Sequence, residues 1–211
     1  MLPVRVDRAG WPFIGGAALL ALVVGLAMGT AWAVPFVLLG LFLTFFFRDP
    51  ERTVQAQSDQ VISPADGRVL VAGAAEPGVA PEGVWQQISI FLSPMDVHVN
   101  RVPVSGTITR VSYQPGRFLP AYRADAAAAN ERSEIWIDHR GTEVVARQIV
   151  GVLARRVVCR LRVGDVVHAG DRYGIMKFGS RMDIFVPPTA ELRVRVGSVV
   201  RGGETVIAVL H

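Results

Sequence analysis

Three residues of this 211-residue chain could do nucleophilic chemistry together: Ser180, His98 and Asp66. Ser180 follows Gly179 in GIMKFGSRMDIFVP (174–187), between two apolar runs, while His98 stands in FLSPMDVHVNRVPVSG (91–106) and Asp66 in SPADGRV (63–69). A hydroxyl, an imidazole and a carboxylate can form a relay in which the imidazole takes the serine proton and the carboxylate orients the imidazole. Each residue alone has a plainer reading. A Gly-Ser pair is ordinarily a tight turn or bulge, because glycine tolerates positive φ and serine satisfies turn donors. A lone histidine ordinarily packs in a core or lies on the surface, and an aspartate in PADG ordinarily makes a turn.

Other chemistries compete for the same stretch. Lys177, the only lysine, sits in IMKF, and lysine beside methionine at a hairpin tip is how biotinyl and lipoyl carrier domains present their modified residue. A carrier modified on Lys177 leaves Asp66, His98 and the apolar N-terminus without purpose. A serine hydrolase would need a strand-to-helix nucleophile elbow, and no G-x-S-x-G is present. The four histidines (98, 139, 168 and 211) and Cys159 show no metal-ligand spacing, so no metal is expected. A single cysteine excludes an intrachain disulfide, and its apolar setting, RRVVCRLRV, reads as a buried thiol.

The elements that must position these residues are mostly strands. After RDPER the chain becomes short Val-, Ile- and Leu-rich runs bounded by turn residues, among them GRVLVAG, WQQISIFLS, GTITRVSY, SEIWIDH and TEVVARQIVGVLARRVV. LPAYRADAAAANER (119–132) is the one helix-prone segment and is expected to be a loop beside the site. RVGDVVHAGDRYGIM (162–176) and RVGSVVRGGETVIAV (195–209) echo one another, which predicts two copies of a β-turn-β element packed together, with Lys177 to Ser180 near a strand end between them.

From Pro12 to Phe47 no side chain is charged. A straight helix over those residues would run about 54 Å at 1.5 Å per residue, against a hydrocarbon core of about 30 Å. Two short helices, 12–28 and 32–47, folded back at GTAWAVP, fit better. Arg5 and Arg8 precede the pair and Arg48 and Arg52 follow it, so the positive-inside rule places both ends, and the β-rich domain, on the cytoplasmic side of the cell membrane. A signal peptide cut after Ala33 is the competing reading, disfavoured because a second apolar segment follows at once. The formal charge of +4 and pI near 10.0 favour anionic partners. No basic cluster with interleaved aromatics points to nucleic acid.

In combination, SPADGRV, FLSPMDVHVNRVPVSG, NERS and FGSRMDIFVP, in this order after an apolar N-terminus ending FFRDPER, closely resemble the short form of the phosphatidylserine decarboxylases, over nearly the whole chain. The resemblance implies a proenzyme that cuts itself between Gly179 and Ser180, the serine becoming an N-terminal pyruvoyl group that serves as cofactor. His98 and Asp66 match the family's base and acid. The group would form a Schiff base with the substrate amine and act as the electron sink for loss of carbon dioxide, as pyridoxal phosphate does elsewhere. His98 would then protonate the α-carbon. Where many longer members carry a second histidine three residues on, this chain has Arg101, so the resemblance leaves His98 to serve both reactions.

The expected fold is mainly β, a barrel-sandwich or hammerhead-like soluble domain (49–211) preceded by a membrane helical hairpin (1–48). Self-cleavage would divide the chain into a β chain, 1–179, and an α chain, 180–211, which stay together as a heterodimer, with higher oligomers open. The expected partner is phosphatidylserine in the membrane, converted to phosphatidylethanolamine, with Arg48 and Arg52 in contact with anionic headgroups.

Overall fold

The structure is a computed structural model that describes residues 5–152, 157–177 and 179–211. The chain forms two compact units that divide between Glu51 and Arg52. In the first, β1 (Arg5–Val6) and α1 (Trp11–Met28) are followed by α2 (Thr30–Phe46) and β2 (Arg48–Asp49), and β1 pairs antiparallel with β2. This pairing ties residues 48 and 49 to the N-terminal unit.

The reversal between the helices is tighter than the gap expected between helices 12–28 and 32–47. Gly29 alone makes it, at φ +101°, a conformation L side chains rarely adopt, and the remaining residues through Pro35 belong to α2. Small residues let the helices approach: a Cβ built on Gly25 would lie 3.3 Å from that of Ala33, and one on Gly40 3.8 Å from that of Ala17. Outside that seam the surface is apolar, with Leu19, Leu22, Leu26, Leu38 and Leu41 exposed. Residues Arg8–Met28 are long and apolar enough to cross a bilayer, and α2 is a shorter apolar helix.

The second unit is mainly β, as expected. In chain order it holds β3 (Gln60–Ile62), β4 (Gly67–Ala74), β5 (Gln86–Leu92), β6 (Val99–Arg101), β7 (Gly106–Gln114), a one-turn α3 (Ala126–Ala129), β8 (Arg132–His139) and β9 (Thr142–Ile149). There follow β10 (Val158–Cys159), β11 (Val166–Val167), β12 (Arg172–Ile175), β13 (Ser180–Val186), β14 (Glu191–Leu192), β15 (Val199–Val200) and β16 (Val206–Val209). Part of the TEVVARQIVGVLARRVV run, 153–156, lies outside the described residues, as does Phe178.

Eight of the described strands form one curled antiparallel sheet in the order β11-β7-β8-β9-β13-β5-β4-β15. Two three-stranded sheets, β10-β12-β6 and β14-β16-β3, pack against it. Alternation along each strand sends every second side chain to this interior, where Ile88, Ile90, Ile135, Ile137, Met182 and Ile184 meet Val61, Tyr173, Met176 and Ile207. Each such side chain contributes about 1.5–3 kcal/mol on burial. The other face of the large sheet is covered by Val79, Ala127 and the Trp85–Trp136 edge-to-face pair.

The sequence echo is a real structural repeat, but its strands do not pair with each other. In the first copy β11 joins β7 and β12 joins β6; in the second β15 joins β4 and β16 joins β3. The backbone contacts match position by position. Gly164 N donates to Ile108 O at 2.8 Å as Gly197 N does to Val69 O at 2.9 Å, and Gly170 N to Val102 O at 2.8 Å as Gly203 N does to Ser63 O at 2.8 Å. Each copy is therefore a corner at which the chain leaves the large sheet for a small one. Lys177 follows β12, and the next described strand, β13, belongs to a different sheet, so Lys177 lies on a crossover and not at the hairpin tip a carrier lysine requires.

Candidate active site

Ser180 is the first residue of β13, a strand buried along its whole length between β5 and β9. Its apolar positions make it a central strand, and Gly179, at φ +70°, turns the chain into it. Ser180 is fully buried, and its hydroxyl oxygen has no hydrogen-bond partner among the described residues. Leaving a buried hydroxyl unpaired ordinarily costs about 1–3 kcal/mol.

The sheet brings the three sequence candidates to one end. Ser180 lies opposite Leu92, the last residue of β5; the 93–98 turn follows directly; and β4, the other neighbour of β5, begins immediately after Asp66. Gly67 holds φ +150°, and a Cβ there would lie 2.1 Å from the Phe91 carbonyl oxygen, so the Asp66–Gly67 corner sits flush against the end of β5.

His98 is fully buried. Its Nδ1 lies 3.0 Å from the Asp96 carbonyl oxygen, which makes Nδ1 the protonated nitrogen of the neutral ring and Nε2 the accepting one. The backbone carries His98 towards the serine: Val99 pairs with Ile175, and Met176 N donates to His98 O at 3.2 Å, four residues before Ser180.

Asp66 does not complete a direct relay. Its carboxylate accepts from Arg52 Nη2 at 2.8 Å and from Gly202 N at 2.8 Å, and neither partner is the His98 ring. What joins it to His98 is backbone, since Arg101 N donates to Pro64 O at 2.8 Å and Arg101 lies three residues after His98. Arg52 thus differs from its expected place at a membrane surface. Its side chain is 8% exposed, bridging Asp66 and, at 3.6 Å, Glu204. Arg48 donates to the Phe45 carbonyl at 2.9 Å and stacks over the Phe45 ring. Arg101, which stands where longer relatives were expected to have histidine, is buried and donates to Gly170 O at 3.0 Å.

Several residues of this region were not legible as candidates. Gly151 follows β9, and a Cβ there would lie 1.8 Å from the Gly179 carbonyl oxygen and 3.0 Å from its carbon. On the far face of β13, Arg181 is anchored by Asp183 at 2.6 Å and Ser89 at 2.9 Å, with Gln87 Nε2 donating to Ser89 Oγ at 2.9 Å. This buried network clamps the strand one residue past the serine. Above the interior face, Gln148 Nε2 donates to Asn100 Oδ1 at 2.7 Å, while Gln148 Oε1 and Asn100 Nδ2 are buried without partners among the described residues. The 119–132 segment is irregular apart from α3 and Arg132, which opens β8, and it lies beside the site, with the Ala121 Cβ 3.5 Å from a Cβ built on Gly151. Cys159 is partly rather than fully buried, and burial pushes its thiol pKa up.

A mainly β domain that carries at one sheet end a buried imidazole, and a buried hydroxyl and other polar atoms without partners among the described residues, preceded in the chain by an apolar helix pair, has the make-up of an enzyme. Comparison with known proteins gives the particular family. The phosphatidylserine decarboxylase family model matches residues 39–208. The chain is 41% identical over 206 residues to a phosphatidylserine decarboxylase proenzyme of Ralstonia nicotianae, covering 97% of this chain and 95% of that protein. It is 49% identical over 169 residues to that of Salinibacter ruber (79% and 74%) and 40% identical over 207 residues to that of Nitrosomonas europaea (98% and 95%). The chain belongs to the phosphatidylserine decarboxylase family and is a decarboxylase.

Proposed function

We propose that this enzyme removes carbon dioxide from phosphatidylserine to give phosphatidylethanolamine, a step of phospholipid biosynthesis, using a pyruvoyl group that it makes by cutting itself between Gly179 and Ser180. The observation that carries this reading is the buried hydroxyl of Ser180, without a partner among the described residues, at the head of a central strand and directly after a glycine in the left-handed region. That setting suits a group converted in place rather than a serine that meets an external ester.

In this reading the Ser180 Oγ–H proton passes to His98 Nε2 while Oγ attacks the Gly179 carbonyl carbon. The Gly179–Ser180 C–N bond then breaks, the nitrogen takes the proton, and an ester remains. Loss of the Ser180 α-proton expels the Gly179 carboxylate, and water replaces the nitrogen, which leaves as ammonia. When formed, the pyruvoyl group supplies a ketone for the substrate amine and an electron sink for the bond that releases carbon dioxide. His98 returns a proton to the carbon that has lost it. Asp66 acts on His98 at a distance: with Arg52 and Gly202 it fixes the 64–67 corner, and Pro64 O in turn holds β6.

After the cut, β13 to β16 remain woven into the large sheet and one of the small ones, β13 between β5 and β9, β15 on β4 and β16 on β3. The chains 1–179 and 180–211 therefore stay together as a heterodimer without a covalent bond. The exposed leucines of the helix pair support a membrane tether, and Arg5, Arg8 and Arg48 at its two ends support a cytoplasmic position for the β domain. Phe118, Tyr122 and Val152, exposed near the serine end of the sheet, give that end an apolar rim suited to a bilayer surface. Such an approach is needed because exposing lipid chains costs about 0.8 kcal/mol per CH₂.

Intact mass measurement of the purified protein under denaturing conditions tests the reading. We expect two chains that meet at residues 179 and 180, the smaller lighter by one ammonia than a serine-terminated chain. Ser180→Ala should give a single full-length, inactive chain. A Ser180→Ala protein that still divides would overturn the proposal.

A further inference from the structure

We propose that Glu131 receives the ammonium group of the substrate headgroup and takes its proton, an assignment that rests on the reading of Ser180 as the future reactive carbonyl. Glu131 belongs to NERS, a stretch of the sequence that the self-cleavage chemistry leaves unused. Its neighbour Asn130 is occupied structurally: Oδ1 accepts from Leu119 N at 2.9 Å, and Nδ2 donates to Leu119 O at 2.8 Å and Val150 O at 2.9 Å. The Glu131 carboxylate makes no hydrogen bond and no ion pair among the described residues, although the residue is 6% exposed and Oε1 is fully buried.

The sheet register places this carboxyl group towards the serine. Arg181, Ile149 and Arg132 form one cross-strand row of β13, β9 and β8. One residue further along lie Ser180, Val150 and Glu131, and Val150 N donates to Glu131 O at 3.1 Å. Met182 and Ile184 on β13 and Ile135 and Ile137 on β8 face the interior core, so alternation puts Ser180 and Glu131 on that same face. Two strand spacings separate their Cα atoms, about 10 Å, which leaves room above Val150 for an amino group between them.

A buried carboxylate without a partner is costly, and a cation brought by the ligand removes that cost. Phosphatidylserine arrives with its amine as an ammonium, which cannot attack a carbonyl until it loses a proton. In the proposed step one ammonium N–H bond breaks, an O–H bond forms on Glu131, and the nitrogen retains its lone pair.

The test compares wild type with Glu131→Gln, which keeps shape and loses charge, and Glu131→Asp, by mass spectrometry of the 180–211 chain. Short-chain phosphatidylserine with cyanoborohydride reports capture of the substrate amine. Methoxyamine, whose nitrogen is unprotonated at neutral pH, reports the carbonyl without needing a base. We expect Glu131→Gln to divide into two chains normally, to react with methoxyamine at the wild-type rate, and to capture phosphatidylserine at least about 100-fold more slowly, with partial recovery in Glu131→Asp. Wild-type capture of phosphatidylserine by Glu131→Gln would overturn the proposal. So would equal slowing of both reactions, which would assign Glu131 to packing. A wild-type protein that does not react with methoxyamine would instead overturn the pyruvoyl reading itself, and this assignment with it.

Discussion

Gly151→Ala should slow self-cleavage about 100-fold while leaving the fold intact. Gly151 does not hold a left-handed φ, so its backbone accepts alanine. The Ala121 Cβ at 3.5 Å is an ordinary contact. The obstacle is the Gly179 carbonyl, whose oxygen lies 1.8 Å from the new methyl position, whereas Cβ contacts with backbone stay beyond 3.0 Å. The carbonyl or the 149–151 strand end must therefore move by about 1.2 Å. Misplacing reacting atoms by about 1 Å can cost about 100-fold in rate, or about 2.7 kcal/mol of barrier at 1.36 kcal/mol per tenfold. The carbonyl that moves is the one Ser180 would attack, so the loss should fall on processing. Freshly synthesised precursor followed over time by denaturing gel and intact mass gives the rate, and chemical denaturation of the product gives the stability. Wild-type processing in a folded Gly151→Ala protein would refute the argument. A rate that falls only in step with stability would make this contact a matter of packing.

Asp66→Ala and Arg52→Ala should each accumulate uncut precursor, and the double variant should fall well short of the sum of the two, because both break the shared Arg52–Asp66 pair; gel quantification of the precursor checks this, and fully additive losses would separate their roles. Asp183→Ala should destabilise the protein by about 3–5 kcal/mol, measured by denaturant unfolding, because it strips the buried Arg181 guanidinium of its closest partner. Deleting residues 1–47 keeps Arg52 for Asp66 and should leave self-cleavage intact. The same deletion should sharply reduce turnover of vesicle-embedded phosphatidylserine relative to short-chain soluble analogues, and equal activity on both substrates would reduce the helix pair to a targeting device.

Much of this protein could be read from local pattern. Charge-free residues from 12 to 47 can only bury themselves in lipid or protein, so the helix pair followed from composition, and the strands of the β unit followed from apolar runs cut by Gly and Pro. The motif set around Asp66, His98 and Ser180 named the family, and the Arg-Val-Gly echo marked two equivalent corners because both copies need the same left-handed glycines. What the sequence could not fix was which strands would be neighbours. Strand pairing joins residues far apart in the chain, and its energy depends on packing that no local window contains. Only the tertiary structure sent the strands of each echo into different sheets, turned Arg52 inward to Asp66, and set Gly151 against the Gly179 carbonyl. It also aligned Glu131 with Ser180 across β9. That last alignment follows from the register of β8, β9 and β13, in which a slip of one residue in β8 would point Glu131 to the face opposite Ser180.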